Sequence, residues 1–111
     1  MDTGTVRLQR KIWTGRGEAF EYVVLVDGKK VGTVRNGATV DFNINAGHHE
    51  LQLKIPWGGG FSHPVTFALA PGMIFNFECE PYFLENAGAL FDRKRPVIQL
   101  RMAGSPGDVS G

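Results

Sequence analysis

The sequence predicts an all-β domain: an antiparallel two-sheet β-sandwich of immunoglobulin-like type, with about seven or eight strands. Three observations predict it. Apolar residues recur at every second position, turn dipeptides recur about every ten residues, and the size and composition suit one packed core. Length is the simplest of the three: 111 residues fit a single domain. With 42% hydrophobic and 11% aromatic residues, that domain can fill a core without disulfides or metal.

The period of two carries the fold argument. In Thr39 to Asn45 the apolar set is Val40, Phe42 and Ile44. In His49 to Ile55 it is Leu51, Leu53 and Ile55, and in Val65 to Leu69 it is Val65, Phe67 and Leu69. In Met73 to Glu80 it is Met73, Phe75, Phe77 and Cys79, with Asn76, Glu78 and Glu80 facing away. Each segment buries one face and wets the other, as antiparallel sheets in a sandwich do. Phe20 to Val26 is apolar on both parities and reads as a central strand covered on both faces for part of its length. Val6, Leu8 and Ile12 mark an opening strand, and Ile98, Leu100 and Met102 a closing one. Val31 to Arg35 is short and polar, as an edge strand is.

Turn chemistry agrees with these boundaries. Asp27-Gly28 and Asn36-Gly37 are hairpin signals, because Asn, Asp and Gly tolerate the positive φ of tight hairpin turns. Ala46-Gly47 and Pro71-Gly72 separate the next pairs, and Trp57-Gly58-Gly59-Gly60-Phe61 forms a wider loop with an aromatic at each end. Pro81 to Asp92 fits no strand pattern; a helical turn, a covering loop and an irregular strand all suit it. The domain is expected to span residues 1–102, with the Gly, Ser and Pro rich residues 103–111 as a disordered tail or linker.

Charge and cysteine content narrow the function classes. The net charge of +1 gives no electrostatic reason to expect nucleic acid or an anionic membrane as partner. The lone Cys79 cannot close an internal disulfide, which fits a reducing compartment. No apolar run approaches a membrane span, and Met1 to Thr5 lacks the pattern of a signal peptide. A cytoplasmic location is expected.

Candidate chemistry is sparse. His48 and His49 are adjacent, so on a strand they point to opposite faces and cannot converge with His63 without help from the sheet. His49 shares parity with Leu51 and Leu53, which places it at the rim of the core, bonded to a turn. Cys79 shares parity with Phe75 and Phe77 and reads as a small core residue. Glu78 and Glu80 lie about 7 Å apart on one strand face, a solvated surface and not a pair flanking a cleft. Gly15-Arg16-Gly17 and Gly58-Gly59-Gly60 lack the lysine-bearing phosphate-loop pattern. Arg7, Arg10, Lys11 and Arg16 would join Arg93-Lys94-Arg95 in a basic stripe if the first and last strands paired. No catalytic set, metal or cofactor is expected.

The residues with most binding potential are Trp57, Phe61, Trp13 and Tyr82. Aromatics on sandwich loops anchor protein partners or stack on sugars. The expected function is therefore a non-enzymatic interaction or structural module that binds a protein partner. It would use these aromatics or an edge strand, of which Val31 to Arg35 is the first choice. A carbohydrate-binding module is the alternative, and a homodimer through an edge strand is compatible with either.

The stretch Tyr22 to Ile55 resembles the PEGA-type family of small bacterial β-sandwich domains. The resemblance rests on Val26-Asp27-Gly28, Val31-Gly32, Val40-Asp41-Phe42-Asn43-Ile44 and Ala46-Gly47-His48-His49-Glu50-Leu51-Gln52-Leu53. It covers about a third of the chain, and Arg35-Asn36-Gly37-Ala38 stands where the family's proline-centred segment falls. It implies a non-catalytic accessory or surface-type domain with no shared active site and carries no site residues with it.

Overall fold

The computed structural model describes residues 2–12, 20–56, 60–81 and 98–103. Within them the chain forms strands and no helix: β1 (Thr3–Arg10), β2 (Tyr22–Val26), β3 (Lys29–Val34), β4 (Thr39–Asn45), β5 (Gly47–Ile55), β6 (Gly60–Phe61), β7 (Val65–Leu69), β8 (Ile74–Pro81) and β9 (Ile98–Met102). They make two sheets that do not close into a barrel. One has four strands in the order β4-β1-β8-β9; the other has five, β3-β2-β5-β6 with β7 also paired to β5. The all-β, two-sheet expectation holds, with one strand more than the upper count expected.

The alternating residues meet between the sheets. Val6, Leu8, Phe75, Phe77, Cys79 and Ile98 are buried from the four-stranded side, and Tyr22, Val24, Val26, Val34, Leu51, Leu53, Phe67 and Leu69 from the other. Phe67 crosses the gap to Phe75 and Phe77, with both ring centroids at 5.1 Å. Each such buried side chain contributes about 2 kcal/mol of burial free energy. Gly4 lets β1 approach β7, since a Cβ there would lie 2.6 Å from Leu69 Cγ.

The connections depart from the sequence reading. Asp27 (φ 53°) and Gly28 (φ 80°) form the two-residue hairpin turn expected between β2 and β3, with Val26 paired to Lys29. Asn36-Gly37 also forms a tight turn, with Ala38 N donating to Arg35 O at 3.0 Å, but it is no hairpin. It carries the chain from β3 in one sheet to β4 in the other, as Ala46-Gly47 does from β4 to β5 and Pro71-Gly72 from β7 to β8. Turn residues set φ; they do not decide whether the next strand lies beside the last one or opposite it.

The sheets are also not wholly antiparallel. β1 pairs with β8 in parallel, from Thr5↔Ile74 to Arg10↔Cys79, because the Pro71-Gly72 arch delivers β8 at the end where β1 begins. Gly72 N donates to Thr3 O there, at 2.9 Å. Two residues change place as well. Arg10, not Ile12, continues the inward series of Val6 and Leu8, and Ile12 lies past the strand end, 76% exposed. In β2 the outer residues Val23 and Leu25 are half-buried and the strand lies between β3 and β5, so it is central and partly covered on its second face.

Candidate interaction edge

The two lateral sides of the molecule are built differently. On one side Ser62, directly after β6, bridges to Ile98 at the start of β9 and so joins the sheets through the backbone. Ser62 is fully buried. Its N donates to Leu53 O at 2.8 Å, its Oγ accepts from Leu53 N at 2.9 Å, and its hydroxyl donates to His63 O at 3.1 Å. The hydroxyl takes the place of a main-chain acceptor, which lets the strand turn away without orphaning Leu53 N.

The opposite side carries β3 and β4, each at the edge of its sheet. β4 pairs with β1 in unbroken register, from Thr3↔Asn45 to Gln9↔Thr39. Arg10 N donates to Ala38 O at 2.9 Å. Strand alternation then turns the main-chain groups of Val40, Phe42 and Ile44 toward β1, and those of Thr39, Asp41, Asn43 and Asn45 away from it. Among the described residues no backbone bond links the outer side of β3 or β4 to another strand. β3 is less regular. The register shifts between Val24 and Leu25, which leaves Val31 as an extra residue, and its neighbours Lys29 and Lys30 are exposed. A bulge and lysines are both devices that discourage pairing at an edge. The expectation that Val31 to Arg35 lies on an edge strand holds for β3, while β4 on the same side is the longer and straighter edge.

Side chains hold this side together. Phe42, half-buried, lies against Gly32, where a Cβ would come within 2.6 Å of its Cε1. At one end the buried Arg10 guanidinium reaches from β1 to the other sheet, where Nη1 donates to Phe20 O and to Val34 O (3.2 Å). Its Cζ sits 3.7 Å from the Tyr22 ring centroid, a cation-π contact inside the core. Burial pushes the Tyr22 phenol upward, and Arg10 works against that shift. At the other end His49, on β5, meets Asp27 and Asn45.

The residues singled out from sequence fare unequally. Phe61 is half-buried in β6, paired with Lys54. Trp13, Trp57 and Tyr82 lie outside the described residues, as do most of Pro81 to Asp92, Arg16, Arg93-Lys94-Arg95 and nearly all of 103–111. The three histidines stay apart: His48 and His63 are exposed, and His49 turns inward to pack on Phe67, ring centroids 5.9 Å apart. Among the described residues no three of His, Cys, Asp or Glu gather to hold a metal. Cys79 is fully buried, and burial pushes its thiol up to about 12, which keeps it protonated.

The basic stripe is not formed by the described residues. β1 pairs with β4 and β8, not with β9, so the condition for it fails. Arg7 is bidentate with Asp41 (2.9 and 3.1 Å), Arg10 is internal, and Lys11 lies 3.9 Å from Glu78. Glu78 and Glu80 share the outer face with Arg101, at 2.6 and 3.0 Å. This face is a mosaic of opposite charges with no field of one sign. Sequence reasoning missed Arg10 as a bridge between the sheets. Its parity with Val6 and Leu8 was the available signal.

No helix among the described residues is long and apolar enough to cross a membrane. Comparison with protein-family models, with curated proteins and with solved structures finds no match to this chain.

Proposed function

We propose that this domain is a non-enzymatic interaction module of immunoglobulin-like, PEGA-like type that binds a protein partner by strand addition at its open side. The single observation that supports it is the β4 edge. It is seven residues long, in unbroken register, with outward main-chain groups at Thr39, Asp41 and Asn43 that bond to no other strand among those described. Strand addition draws affinity from such main-chain groups and specificity from alternate side chains. Half-buried Val40, Phe42 and Ile44 offer the apolar contacts for the latter. The bulge at Val31 directs the incoming strand to β4 and away from β3. In a reducing, cytoplasmic setting Cys79 would remain a thiol.

Asn43→Pro tests this reading, because proline removes one outward N–H and is tolerated on edge strands. The folded domain serves as bait for mild crosslinking in lysate of its source cell. The partner should crosslink near β4, be lost with Asn43→Pro and be kept with Val31→Glu. A partner that survives Asn43→Pro and is lost with Trp57→Ala would move the interface to the aromatic loop. Glycan binding that quenches tryptophan fluorescence would favour the carbohydrate reading instead.

A further inference from the structure

His49 joins three elements through one ring. Its Nδ1 lies 2.6 Å from Asp27 Oδ2, in the turn between β2 and β3, and its Nε2 lies 2.6 Å from the carbonyl oxygen of Asn45, the last residue of β4. Asp27 cannot turn aside, because its Oδ1 accepts from Glu50 N at 2.9 Å and its own N donates to Glu50 O at 2.8 Å. Phe67 of β7 packs against the ring, and the His49 side chain is only 14% exposed.

Both partners of the ring are acceptors. A neutral imidazole donates from one nitrogen and carries a lone pair on the other, so it would aim that pair at an oxygen. The imidazolium donates from both and satisfies both. Asn45 belongs to the four-stranded sheet, whereas Asp27 and His49 belong to the other. The proton therefore decides whether this end of the open side is tied.

We propose that His49 is a proton-operated latch between the sheets, which ties the end of β4 to the β2–β3 turn when charged and releases it when neutral. The groups facing the ring support this. The turn supplies the Asp27 carboxylate, with Lys29 of β3 near it; β4 supplies the Asn45 carbonyl; β7 supplies the Phe67 ring; and Glu50 of β5 engages through its main chain. The hydrogen bond to Asp27 raises His49 above the ordinary 6.5, opposed by burial and aided by Asn45 O. The same bond, with the Glu50 amide, lowers Asp27 below 3.8. For the raised histidine, the stabilisation is complete below pH 6.5 and is lost as pH rises through its folded-state value. For the lowered aspartate, it is present above 3.8 and is lost as pH falls through its own folded-state value. The latch is closed between those two folded-state limits. Asp27 is half exposed, so added salt weakens the pair.

The test does not depend on the partner. Ring 15N shifts of the wild-type protein at pH 6 should show both His49 nitrogens protonated, with a titration midpoint above that of a free imidazole. Exchange of the Glu50 and Ala46 amides, corrected for intrinsic pH dependence, should quicken roughly tenfold as His49 loses its proton, the worth of one charge-assisted hydrogen bond. His49→Gln should abolish that step. A single neutral tautomer at pH 6, a depressed midpoint, or an exchange step that persists in His49→Gln would overturn the latch.

Discussion

The two lateral sides of this molecule solve the same problem by different means. Where β6 meets β9, a main-chain bridge joins the sheets, and a buried hydroxyl anchors the bridging residue to β5. Where β3 meets β4, no backbone bond among the described residues crosses, and three side-chain contacts do the joining: Arg10 at one end, Phe42 on Gly32 between, His49 at the other. Backbone bonds are indifferent to sequence and to pH, whereas side-chain ties can be removed singly, and one of these is untied by the loss of a proton. The side that is held by side chains is also the side where, among the described residues, a long strand edge bonds to no other strand.

Substitutions break this comparison in a definite order. Arg10→Leu should cost the most, about 3 kcal/mol, because the carbonyls of Phe20 and Val34 lose a charged donor within the core. Chemical denaturation would measure it. Ser62→Ala, on the opposite side, should cost about 2 kcal/mol by orphaning the buried Leu53 amide. Because the two sites lie on different sides and their hydrogen bonds among the described residues go to different groups, the double variant should be additive within about 0.5 kcal/mol. A larger coupling would mean the sides are not independent. Gly32→Ala should cost about 1 kcal/mol, since the new Cβ displaces the Phe42 ring, which can swing toward solvent at this edge. Arg7→Ala should leave the thermal midpoint unchanged within error, because its pair with Asp41 is exposed and screened. A clear drop there would show that the outer face also holds the sheets.

The core was legible because alternation reports burial directly: Phe67, Phe75, Phe77 and Cys79 lie inside, where a period of two places them. His49 was legible for the same reason, by parity with Leu51 and Leu53, and so was its bond to a turn. What did not show was pairing. Asn36-Gly37 and Pro71-Gly72 have the chemistry of tight turns and form them, yet each crosses between sheets, because dipeptide φ preferences contain nothing about which strand comes next in space. The parallel contact of β1 and β8 was hidden for the same reason. Arg10 was misread because a charged residue in an apolar series looks like surface until its carbonyl acceptors are known. The open edge was half legible: polarity marks β3 as an edge, but the length of β4 at its own edge depends on topology.

Residue-resolved amide hydrogen exchange tests the central claim, that one side of the fold is an available edge and the other a sealed seam. Protection should alternate along β4, with Val40, Phe42 and Ile44 slow and Thr39, Asp41 and Asn43 fast, while Leu53 and Ser62 at the seam stay slow. Equal protection of both sets in β4 would contradict the account, since it would mean that another strand already lies against that edge.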